Sequence, residues 1–112
     1  ILAKNGIRNV TIVYSPLKDY AGGRWYDYKP NIEYDLVILD GPNRQKGNRN
    51  VAFFAIGHKF DSSTVIVDDA NDPDLMRGFE SWAHSYGRTV VPLGIKEKTA
   101  AISLPVYQQK AA

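Results

Sequence analysis

The sequence of 112 residues contains no cysteine, which excludes a disulfide framework, thiolate catalysis and any zinc or iron–sulfur site built on sulfur. No apolar run approaches the roughly 20 residues that span a bilayer as a helix, and the longest ones are strand-sized, which excludes a membrane-embedded protein. There is no Gly-x-Gly-x-x-Gly turn and no phosphate-cradling P-loop; the paired glycines, Gly22-Gly23, do not link a strand to a helix. The net charge of +2 is small and scattered, which argues against nucleic acid as a partner. The single methionine is Met76, and the opening ILAKNGI is too short for a signal peptide. These features predict a processed, truncated or excised piece, with the cytoplasm as its default location.

What is present suits one soluble α/β domain over residues 1–112: 44% of residues are hydrophobic and 12% aromatic. Ile7–Tyr14 (IRNVTIVY) reads as a strand stopped by Ser15-Pro16. Lys18–Pro30, with Gly22-Gly23 and its aromatics, reads as a loop over apolar surface. Leu36–Leu39 is an unbroken apolar run, the pattern of a strand covered on both faces in a parallel sheet. Val51, Phe54, Ala55 and His58 recur at helical spacing, and Thr64–Val67 reads as a second buried strand. Asp72-Pro73-Asp74 opens a helix whose face is Leu75, Phe79, Trp82 and Tyr86, with Gly87 as its stop. Thr89–Pro92 and Thr99–Tyr107 follow without an intervening helix and predict an antiparallel hairpin around LGIKEK.

In open parallel sheets, ligands bind beyond the carboxyl ends of the strands. Asp40 follows LVIL and Asp68-Asp69 follow TVIV, so neighbouring strands deliver three carboxylates to one rim. Such a cluster needs a cation, a bound proton or ligand donors. A hard divalent ion such as Mg²⁺ held by Asp40, Asp68 and Asp69 is one reading; helix capping by Asp69 and Asp72 is the other. Gly41-Pro42 permits close backbone approach to a ligand. Arg44, Lys46 and Arg49 are anion-binding candidates or solvated loop charge. His58 and His84 have no partner at ligand spacing and read as structural. Trp25 and Tyr26 read as core or as a platform for a flat ligand.

Taken together, IVYSPL, RWYD, YDLVILDGP, TVIVDDAN and ESWAHSYGR resemble the C-terminal half of a class I S-adenosylmethionine-dependent methyltransferase, from about Asn9 to Tyr107. The family sheet has seven strands in the order 3-2-1-4-5-7-6, and these segments are similar to strands three through seven. The resemblance implies a Rossmann-like three-layer α/β sandwich, mostly parallel with an antiparallel C-terminal strand and without the first two strands. It implies that Ser15, Pro16 and Leu17 lie near the adenine of S-adenosylmethionine with Asp40, Gly41 and Pro42 beside the cofactor. Asp40 and Asp68 take the catalytic positions that orient a small-molecule acceptor. Asp40, Asp68 and Asp69 match the divalent-ion ligands of catechol-type members, although Asn43 stands where those carry a basic residue. The glycine turn and the ribose-binding acid are absent, so the chain is expected to bind cofactor weakly or not at all. The alternative is a non-enzymatic α/β binding module. Loss of strands one and two predicts an unpaired sheet edge, and with it a homodimer or docking onto a missing N-terminal half.

Overall fold

Short β-branched and aromatic runs separated by tight turns set the architecture, and the computed structural model describes residues 9–95 and 98–106. The elements are β1 (Leu17–Tyr20), β2 (Gly23–Tyr26), β3 (Leu36–Leu39), α1 (Val51–Ala55), a 3₁₀ turn (Gly57–Phe60), β4 (Thr64–Asp68), α2 (Pro73–Ser85), β5 (Val90–Ile95) and β6 (Lys98–Ser103). β1 and β2 form an antiparallel hairpin, Leu17 opposite Tyr26 and Tyr20 opposite Gly23. The expected loop over 18–30 is therefore corrected. Its aromatics are strand formers, and Gly23, at φ 132°, takes a backbone conformation that side-chain-bearing residues rarely adopt.

The second sheet has the order β3-β4-β6-β5. β3 and β4 are parallel, Leu36 opposite Thr64 and Leu39 opposite Val67. β6 is antiparallel to both β4 and β5. This corrects the expected Rossmann-like sandwich: one parallel pair stands against two antiparallel ones, and helices are not layered on both faces. The physical reason is that β5 and β6 are a hairpin whose second strand inserts against β4, reversing direction. The strand expected at 7–14 is also corrected. Residues 9–14 belong to no strand, and Ile12 and Tyr14 are 79% and 90% exposed, whereas residues 7 and 8 lie outside the described residues. β-branched sequence makes a strand only where a neighbour accepts its hydrogen bonds. Of the expected last strand, residues 104–106 are unpaired and Tyr107 lies outside the described residues.

Residues opposite one another in the ladders share a face. Leu39, Val65, Val67, Ala101 and Ser103 are buried on one face, under α1 and α2. On the other face Leu36, Ile38 and Val91 are exposed. β3 is thus an edge strand covered on one side, not a strand buried on both. In the core, the rings of Phe53 and Phe79 stack at 5.5 Å and that of Trp82 lies 6.0 Å from Phe79. α1 buries Val51, Ala52 and Phe53 and exposes Phe54, because the helix ends after Ala55 and the following 3₁₀ turn changes the phase of the pattern.

α2 follows its sequence signals. The Asp72 carboxylate accepts from the Asp74 and Leu75 amides at 3.0 and 3.4 Å. Leu75, Phe79 and Trp82 face the core. At the far end Gly87 has φ 67°, and the amides of Gly87 and Arg88 donate to the His84 and Ala83 carbonyls. Arg88 then enters the interior. It donates to the carbonyls of Phe60 (2.9 Å), Ser63 (2.6 Å) and Ser103 (2.6 Å) and to Ser103 Oγ (3.0 Å). Its guanidinium lies 4.6 Å from the Trp82 ring centre. Burial lowers its pKa from the ordinary guanidinium value, partly offset by the nearby Asp61.

Candidate functional site

Parallel pairing of β3 with β4 carries the ends of both strands to the same rim. Carboxylate oxygens of Asp40, Asp68 and Asp69 lie within 4.8 Å of one another. Asp69 adopts a left-handed backbone, φ 58°, which aspartate tolerates better than most residues. The Asp40 carboxyl is held above its usual range. The hydrogen bond with Asp68 is the main cause; partial burial and the charges of Asp68 and Asp69 add to it, and Arg49 opposes it.

Arg49 is the rim residue whose partners the local sequence leaves open, between anion binding and solvated charge. Its Nη1 lies 2.9 Å from Asp69 Oδ2 and its Nη2 lies 3.9 Å from Asp40 Oδ1. The same guanidinium donates to the carbonyls of Asp68 at 3.1 Å, Pro42 at 3.3 Å and Asp40 at 3.4 Å. It therefore fastens the connection after β3 across the ends of both strands. The available signal was charge balance: three acids on one rim call for a cation, and the nearest basic residues lie between 43 and 50. Arg44 turns instead to Asp72, 3.4 Å away. The three carboxylates are a donor set suited to a hard divalent ion, and such an ion competes with Arg49 for Asp69. Asp72 is the helix cap, whereas Asp69 contributes its carbonyl to the Asp72 amide and its carboxylate to Arg49.

The other predicted positions are distributed around β2. A Cβ on Gly41 would fall 2.8 Å from the Tyr26 hydroxyl, so a larger residue there would have to displace that hydroxyl. Pro42 is buried and follows a cis peptide bond. Leu17 begins β1 opposite Tyr26, and the Pro16 carbonyl accepts from the Asp27 amide at 2.8 Å. Ser15, Pro16 and Leu17 thus lead into the hairpin and approach Gly41 only through Tyr26. His58 and His84 are exposed.

Among the described residues, cavities lie on either side of the rim. One, of about 500 Å³, lies between the connection after β3 and the start of α2, with Arg44, Arg49, Asp69 and Asp72 in its wall. The other, of about 510 Å³, is bounded by Trp25, Tyr26, Tyr28 and Tyr34, by β3 and by Asp40 and Gly41. The Tyr28 and Tyr34 hydroxyls are hydrogen-bonded to each other. That bond, with burial and the Tyr28 charge adding to it, pushes the Tyr34 pKa up to about 12. Trp25 is 4% exposed, and its indole Nε1 has no hydrogen-bond partner. No described helix is long and apolar enough to cross a membrane. Comparison of the chain with protein-family models, with curated proteins and with solved structures gives no match.

Proposed function

We propose that the chain is the substrate-side half of a class I S-adenosylmethionine-dependent methyltransferase-like domain acting on a small molecule, inactive by itself. The observation that carries this reading is the sheet order β3-β4-β6-β5, with its first pair parallel and its last two pairings antiparallel. It coincides with the order 4-5-7-6 in the second half of the family sheet. Asp40 and Asp68 fall at the ends of the two parallel strands, where the family places groups that orient the acceptor. Methyl transfer depends chiefly on alignment of nucleophile and sulfonium, and these residues would position the acceptor. A non-enzymatic binding module with the same sheet is the competing reading.

Titration of ¹⁵N-labelled chain with S-adenosylmethionine separates the two. The expected result is weak, millimolar binding, with amide shifts confined to Ser15, Leu17, Asp40, Gly41 and Asn43. Shifts that appear instead at residues away from this rim would sink the methyltransferase reading and leave the binding module, whereas no shift at all is the lower limit expected of a chain without the glycine turn and the ribose acid. Micromolar affinity would show a complete cofactor site and contradict the half-domain.

A further inference from the structure

We propose that the aromatic cavity beside β3 binds a neutral, planar aromatic molecule that carries a carbonyl oxygen or unprotonated ring nitrogen as hydrogen-bond acceptor. The cavity volume of about 510 Å³ is within the range of small-molecule sites. Its walls are mostly flat and apolar: Trp25, Tyr26, Tyr28 and Tyr34 line it together with Val37 and Phe60. Such walls favour a ring system that can stack or meet them edge-on.

The polar groups determine what the ring must carry. A buried donor without an acceptor is costly, and nearly all buried polar groups in folded proteins are paired. The two tryptophans differ in this respect. Trp82 donates from Nε1 to the Gly57 carbonyl at 3.0 Å, so the fold supplies an acceptor where the indole is purely structural. Trp25, equally buried and part of the cavity wall, has none. A second donor stands nearby. Tyr28 and Tyr34 share one hydrogen bond, which uses one of their two hydroxyl protons and leaves the other for an acceptor in the cavity. The Tyr34 hydroxyl, its pKa pushed up to about 12, stays protonated through neutral pH. The charged group in the wall is Asp40, which disfavours an anionic ligand. Two donors, aromatic walls and a carboxylate thus specify an uncharged flat acceptor. The cavity shares Asp40 and Gly41 with the residues of the methyltransferase reading, but the inference needs no sulfonium and no methyl acceptor.

Coumarin is the probe: planar, apolar, with a lactone carbonyl and no donor. The two indole N–H resonances of ¹⁵N-labelled wild-type chain are assigned through contacts of Trp25 with Tyr26 and of Trp82 with Phe79, so no core variant is required. Coumarin should move the Trp25 Nε1–H signal downfield with saturation below millimolar concentration and leave Trp82 in place. Naphthalene, of the same two-ring shape without an acceptor, should bind at least fivefold more weakly and produce no downfield shift. The proposal is overturned if the Trp25 signal stays fixed up to the solubility limit of coumarin, if both indoles move alike, or if naphthalene equals coumarin in affinity. None of these outcomes bears on the S-adenosylmethionine titration.

Discussion

At one end of the four-stranded sheet Arg88 is buried and directs its donors at backbone carbonyls and the Ser103 hydroxyl. At the other end Arg49 lies against the Asp40 and Asp69 carboxylates and the carbonyls between them. The acceptors around Arg88 do not titrate and belong to the 3₁₀ turn, the turn ahead of β4, and β6, so that end behaves as a fixed joint. Those around Arg49 include two carboxylates, which can exchange one counter-ion for another. An arginine closed in by neutral oxygens serves stability; one facing carboxylates leaves its end of the sheet responsive to ligands and protons.

Substitutions at the two arginines can break this comparison. Arg88→Ala leaves the Phe60, Ser63 and Ser103 oxygens buried without their donor, and urea denaturation should show a loss of about 3 kcal/mol or more. Arg49→Ala should cost less, about 1 kcal/mol, because its acceptors lie near solvent. It should also raise the Asp40 pKa further by removing the charge that opposes the rise, which carboxyl NMR titration reads directly. Equal losses for the two variants would remove the distinction between joint and rim.

The smallest effect is expected at Asp40. Its folded-state pKa lies above its ordinary value, so its contribution to stability is full below the unfolded pKa and is lost as pH rises through the folded one. At neutral pH the wild type carries the repulsion among the acids. Asp40→Asn should therefore be slightly more stable than wild type at pH 7, and the gap should close as both are acidified through the carboxylate range. A difference independent of pH, measured by thermal unfolding, would place the effect outside the acidic rim.

Features encoded locally were legible in the sequence. The cap at Asp72, Pro73 and the stop at Gly87 each act within a turn of α2, and a hairpin was readable from two strands lacking a helix between them. The nearness of Asp40 to Asp68 and Asp69 was legible because two apolar runs each ended in acids. The side of Leu36 and Ile38 that faces solvent was not legible, because a four-residue apolar run has the same pattern in an interior or an edge strand. The same limit hid β1–β2, whose aromatics also suit a core loop. Arg49 and Arg88 reach partners on other elements, a choice made by tertiary packing and not by neighbouring residues.

The strand that comes last among the described elements, β6, is an inner one: it lies between β4 and β5. A chain emerging from the ribosome therefore displays β4 with one bare edge until Lys98–Ser103 has been delivered. Closure of the sheet waits on contacts spanning more than 30 residues, Val65 with Ser103 among them. Until that moment the apolar strands Leu36–Leu39 and Thr64–Asp68 are a two-stranded template open to foreign strands. The exposure to misassembly thus lasts until Lys98–Ser103 has been made, and a cut ahead of Lys98 would make it permanent.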